Sequence, residues 1–187
     1  VHQEGDSLWV GWPGVSSNIL DSKSKNKIID DLEKFQYRPV FLDDEELDNF
    51  YFGFSNKCLW PLFHYFIEYH HFDSKQWEFY LKVNKKFAEE VLEVIEDGDI
   101  VWIHDYQLML CPQMIKDQKP EVTIGFFLHI PFPSFEIFRI FPERERLLNG
   151  LLGADIIGFH TYDYERHFLS SIKPVSYTHL RAHETFA

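Results

Sequence analysis

Basic residues are scarce and cysteine is nearly absent in this chain. Its 187 residues include 18 Lys and Arg against 30 Asp and Glu, for a formal net charge of −12. No long basic run offsets that balance. Such a surface repels phosphodiester backbones and anionic lipid, which argues against nucleic acid or a membrane as partner. The two cysteines, Cys58 and Cys111, have no CxxC or CxxH neighbour. That excludes a disulfide framework and a zinc knuckle, and it suits a reducing cytoplasm. Apolar runs such as Ile124 to Ile130 fall far short of the roughly 20 residues a bilayer-spanning helix needs. A Walker loop, a GxSxG elbow and a GxGxxG fingerprint are all missing, and His64, His70 and His71 fit no common zinc spacing such as HExxH. The opening Val1-His-Gln-Glu-Gly-Asp is neither an initiator Met nor a secretory segment, so the natural start is expected upstream.

Apolar and aromatic residues, by contrast, are plentiful, at 45% and 18%, enough for one domain or one lobe of a larger enzyme. Periodicity predicts strands at Leu8–Gly11, Pro39–Leu42, Ile100–Ile103, Val122–Leu128 and Asp155–Phe159. Helical spacing predicts helices over Ser24–Phe35, from the Asp43-Asp44 cap through Phe54, over Lys57–Tyr69, Ser74–Ile95, Leu108–Lys116, Ser134–Leu152 and Tyr162–Ser171. In the helix after Asp43, Leu47, Phe50, Tyr51 and Phe54 form one aromatic face. Ser16–Lys27 reads as a surface linker without a functional role. Buried strands separated by helices indicate an α/β fold, a Rossmann-like parallel sheet with helices on both faces.

In such folds, ligands collect beyond the carboxyl ends of the strands. His104-Asp105, His129 and His160-Thr161 follow three successive strands, and this recurrence is the chain's clearest functional signal. Strand ends reaching solvent also turn polar for no other reason. Asp105 can accept two hydrogen bonds from sugar hydroxyls or cap the helix that follows. Pro131-Phe132-Pro133 stiffens the loop after His129. Tyr51 and Trp60 each join a large apolar body to one polar donor, fit to contact a phosphate while packing on a sugar, or simply to fill a core.

Five segments taken together carry a resemblance: GWPG at 11–14, FSNKCLWPLFHY at 54–65, VWIHDYQLMLCPQM at 101–114, GFFLHIPFPSFEIFR at 125–139 and LLGADIIGFHTYDYERHFLSS at 151–171. In sequence and order they closely resemble trehalose-6-phosphate synthases. The resemblance implies the N-terminal, acceptor lobe of a GT-B glycosyltransferase. It also implies transfer of glucose, with retention, from UDP-glucose or another nucleotide-glucose to glucose 6-phosphate, with no metal and no cofactor. Tyr51 and Trp60 match the pair on the acceptor phosphate, with Trp12 in the same pocket. Asp105 matches the carboxylate that orients acceptor hydroxyls, and His129 the histidine reaching the donor sugar.

The family's first strand and glycine loop, and its donor lobe with the cations that neutralise the leaving diphosphate, have no counterpart here. The chain alone is therefore expected to be inactive. Gln107 stands where members usually have His, and Phe135 where Ser is common. A catalytically silent, sugar-phosphate-binding regulatory homologue is the alternative, and a homo-oligomer is compatible with either. Residues 1–175 are expected to form the partial lobe. Ser176–Ala187 resembles translated adapter read-through and is expected to be a non-native tail.

Overall fold

The computed structural model describes residues 7–184, with side chains described to residue 173. Three central strands, β3 (Ile100–His104), β4 (Thr123–Leu128) and β5 (Ile156–Phe159), pair in parallel in the order β3-β4-β5. Val101, Ile103, Ile124, Phe126 and Leu128 are buried, as alternation along a pleated strand requires of one face. On the other face, glycines make room for rings: a Cβ at Gly125 would meet the Trp102 indole, and one at Gly158 the Phe127 ring. A second parallel pair joins β1 (Trp9–Gly11) to β2 (Tyr37–Pro39). The parallel α/β class read from the sequence therefore holds.

Helices fill the intervals between strands, α1 (Ser22–Glu33), α4 (Ser74–Val94), α5 (Cys111–Lys116) and α7 (Arg144–Leu151), and α8 (Tyr162–Glu184) follows β5. Asp21 caps α1 by accepting from Ser24 N–H at 2.7 Å, so the stretch expected to be a linker in fact contains a helix start. A short α2 (Asp44–Glu46) opens on a reciprocal capping box between Asp43 and Glu46. The chain then continues without a break into a π-helical segment, Leu47–Leu59, and into α3 (Trp60–Phe63).

Where two helices were expected, one continuous rod runs from 44 to 63, and it stops short of Tyr69. Its wide winding buries Phe50 and Phe54 but leaves Tyr51 36% exposed, so Tyr51 is not on the core-facing side. The helix expected over Ser134–Leu152 is also divided, into α6 (Phe135–Phe138) and α7, around Pro142, which lacks the N–H an unbroken helix would need.

An aromatic core ties these pieces together. Phe54 and Tyr80 sit 4.7 Å apart, Phe132 and Phe138 5.1 Å, and Phe63 and Phe132 5.4 Å, and all five are fully buried. Tilted and edge-on pairs of this kind add about 0.5–1.5 kcal/mol each beyond simple burial. The boundary expected at Ser176 falls inside α8, and residues 185–187 lie outside the described residues.

Candidate functional site

At the end of β3 the backbone turns on Asp105, which holds φ at +72° and ψ at 171°. A non-glycine residue adopts this conformation only where its surroundings hold it there. Three contacts do so. Asp105 N–H donates to Phe127 O at 2.9 Å, its carbonyl accepts from Leu108 N–H at 3.2 Å, and its Oδ1 accepts from His129 N–H at 3.1 Å. The carboxylate is thereby tied to the loop after β4, and its remaining lone pairs stay available to a hydroxyl donor.

The loop that follows Asp105 is anchored from below. Tyr80 and Asn84, fully buried on α4, bond four of its backbone groups. Tyr80 OH donates to Tyr106 O at 2.7 Å and accepts from Met109 N–H at 3.2 Å. Asn84 Nδ2 donates to Gln107 O at 2.9 Å, and its Oδ1 accepts from Leu110 N–H at 3.1 Å. Burial drives the Tyr80 phenol well above its ordinary pKa, so it stays protonated and keeps donating.

His104, His129 and His160 form a row across the carboxyl ends of β3, β4 and β5. His104 Nδ1 lies 3.0 Å from His129 Nε2, and the His129 and His160 ring centres are 5.7 Å apart. Trp9 stacks on His104 with centroids 6.2 Å apart, and Trp102 meets it edge-on at 6.1 Å. Burial, and then the neighbouring His129, hold the His104 pKa below its ordinary value. The two ring nitrogens are within hydrogen-bond distance, and which of them donates is set by the tautomers. Beyond His129, the loop is pinned twice. His167 Nδ1 lies 3.0 Å from Phe132 O, and Tyr65 OH accepts from Ser134 N–H at 2.8 Å. Alongside His160, a groove between β5 and α8 is lined by Phe159, Thr161, Tyr162 and Glu165.

Tyr51 and Trp60 stand at the surface of the π segment and of α3, respectively. Trp60 stacks on His64 with ring centres 4.0 Å apart, and His64 Nδ1 lies 2.8 Å from Trp60 O. Between this rod and the Asp105 loop stands Tyr106, whose OH donates to Asn56 Oδ1 at 2.9 Å. Burial, with Asp105 and Tyr51 as nearby contributors, pushes the Tyr106 phenol to about 12. The fold therefore brings Tyr51, Asn56, Tyr106, Asp105 and His129 into one neighbourhood. Trp12 follows the end of β1, and its indole N–H is spent on Val15 O at 3.1 Å. That leaves its ring face as what it can offer a ligand.

His70 has its Nδ1 2.9 Å from Cys58 O. Among the described residues, no group of three or more His, Cys, Asp or Glu could hold a metal ion. Nor is any described helix long and apolar enough to cross a membrane.

Sequence reasoning did not pick out Tyr80, Asn84, Asn56, Tyr65 or His167 as builders of the site. For Asn84 a signal existed: a polar residue in the inward row of α4, between Tyr80 and Phe87.

The family model described as glycosyltransferase family 20 matches residues 1–186. An α,α-trehalose-phosphate synthase (UDP-forming) of Pichia angusta is 51% identical over 174 residues, covering 89% of this chain and 36% of the relative. Among solved structures, the Escherichia coli trehalose-6-phosphate protein bound with UDP-2-fluoro glucose superposes with a TM-score of 0.78 at 34% identity, covering 90% of this chain and 36% of the other. The synthase of Burkholderia xenovorans in complex with glucose-6-phosphate gives 0.77 at 29%, covering 89% and 36%. The chain thus spans about a third of the length of the curated relatives it matches.

Proposed function

The chain belongs to glycosyltransferase family 20, and on that premise we propose that it forms the acceptor side of an enzyme making trehalose 6-phosphate from UDP-glucose and glucose 6-phosphate. The observation that carries this reading is the strained Asp105, tied to His129 at the mouth of a parallel sheet with Tyr106 and Tyr51 in the same neighbourhood. The relatives bound to a UDP-sugar analogue and to glucose-6-phosphate support it.

Each residue then has a physical task. Tyr51 OH and the Trp60 indole N–H donate to the acceptor phosphate, and Trp12 packs against the sugar. Asp105 accepts from acceptor hydroxyls and sets the attacking one toward the donor, a positioning role more than that of a base. His129 faces the donor sugar. Retention proceeds on the front face, where the departing phosphate oxygen takes the hydroxyl proton as an oxocarbenium-like centre forms. No paired carboxylates of the glycosidase kind are required. Negative charge builds on the leaving diphosphate and needs cations, which the donor lobe of the full-length relatives is proposed to supply.

The test is to incubate the full-length protein with UDP-glucose and glucose 6-phosphate and identify the product by NMR. A 1,1-linked, phosphorylated, non-reducing disaccharide formed with UDP release is the expected result. UDP release that does not depend on glucose 6-phosphate would refute the acceptor assignment.

A further inference from the structure

Tyr51 and Trp60 are nine positions apart. In an α-helix of 3.6 residues per turn, that separation spans about two and a half turns and sets two side chains on opposite sides. The segment between them is π-helical: Trp60 N–H donates to Ser55 O, five residues back. With about 4.4 residues per turn in such an i→i+5 winding, nine residues complete about two turns and return to the same side. Burial agrees, since Tyr51 and Trp60 are 36% and 38% exposed while Phe50, Phe54, Cys58 and Leu59 are buried. Asn56, five residues after Tyr51 and four before Trp60, lies on that same side and is half-buried.

The Asn56 carboxamide is half used. Its Oδ1 takes the Tyr106 hydroxyl, which fixes the orientation of the amide, and no acceptor among the described residues takes the Nδ2 hydrogens. A phenol O–H, a carboxamide NH2 and an indole N–H therefore share one face of the rod. All three are neutral donors, and together they match the acceptor-only oxygens of a phosphate.

We propose that Asn56 is a third ligand of the acceptor phosphate, brought into line with Tyr51 and Trp60 by the π-helical winding. This rests on the reading that Tyr51 and Trp60 hold that phosphate. Asn56 also links the phosphate subsite to the Asp105 loop through Tyr106, so phosphate binding and hydroxyl positioning share one rigid support.

The test uses Asn56→Asp in the full-length protein. The carboxylate still accepts from Tyr106 OH but replaces two donor hydrogens with a negative charge that also repels the phosphate through space, so the uncharged Asn56→Ser variant is measured beside it. The KM for glucose 6-phosphate should rise about tenfold or more. UDP binding, the thermal midpoint and the KM for unphosphorylated glucose should stay at wild-type values. Asn56→Ser, which adds no charge and keeps one small donor, should raise the same KM by a smaller factor, and a rise in the Asp variant with none in the Ser variant overturns the inference. Tyr51→Phe and Trp60→Phe are measured in parallel. If they raise the KM for glucose 6-phosphate and the Asn56 variants do not, the inference is overturned and the underlying reading stands. If none of the variants changes it, both fail. A KM raised equally for glucose and glucose 6-phosphate also overturns the inference.

Discussion

Replacing Asn84 by Leu keeps the branching of the side chain at Cγ but removes the latch beneath the Asp105 loop. Asn84 Nδ2 and Oδ1 are the side-chain partners of Gln107 O and Leu110 N–H, at 2.9 and 3.1 Å, from a fully buried position. Its other two side-chain bonds, to Tyr80 O and from Cys111 Sγ, are the least costly to lose, because that carbonyl belongs to the regular turns of α4 and a thiol is a weak donor that also reaches Asn84 O. Each buried backbone group left without a partner costs about 1–3 kcal/mol. The added apolar burial of Leu returns about 1 kcal/mol. The net expectation is a loss of about 1–5 kcal/mol, a large share of the roughly 5–15 kcal/mol that holds a typical domain folded. At about 2–4 °C per kcal/mol for a chain of this size, the thermal midpoint should fall by about 2–20 °C. Circular dichroism melting measures that shift, and hydrogen exchange at the Leu110 amide locates it, since this N–H should lose protection more than the amides of β4. An unchanged midpoint, or a fall without selective loss at Leu110, would refute the latch.

A methyl group added at position 150 would press on Met109 O and the Leu110 backbone. Gly150→Ala should therefore destabilise by about 1–3 kcal/mol through strain, seen as a lower denaturant midpoint, and an equal or higher midpoint contradicts the close packing. His104 titrates below its ordinary value in the fold, so near pH 6 the unfolded chain binds more protons than the folded one. The stability this contributes is present above about pH 6.5 and is lost as pH falls through the depressed folded value. His104→Gln should lose less stability than wild type between pH 7.5 and 5.5 in denaturant titrations, and an identical loss would show that the histidine bridge is not responsible.

The three parallel strands and the polar residues at their ends could be read from the chain because period-two burial and strand-end polarity are local properties. His104, His129 and His160 do meet in a row for that reason. The rod from 44 to 63 was harder. Leu47, Phe50, Tyr51 and Phe54 satisfy three- and four-residue spacing, so pattern alone favours an ordinary helix. The wider turn buries Phe50, Phe54, Cys58 and Leu59, turns Tyr51 outward and lays the segment against α4, a tertiary arrangement that local spacing does not encode. The break between α6 and α7 did have a written signal in Pro142. The support of Asp105 by Tyr80 and Asn84 spans more than twenty residues of sequence and shows only as a polar residue inside an apolar row.

The central claim is that Asp105 orients the acceptor sugar at the end of β3. It is tested most directly by Asp105→Asn in the full-length protein, read as UDP release dependent on glucose 6-phosphate. The amide oxygen can still accept from His129 N–H, so the fold and UDP binding should persist. The lost carboxylate should lower turnover by about 10²- to 10³-fold, the scale seen when one preorganised polar contact to the reacting groups is removed. A folded Asp105→Asn protein with wild-type turnover would contradict the account.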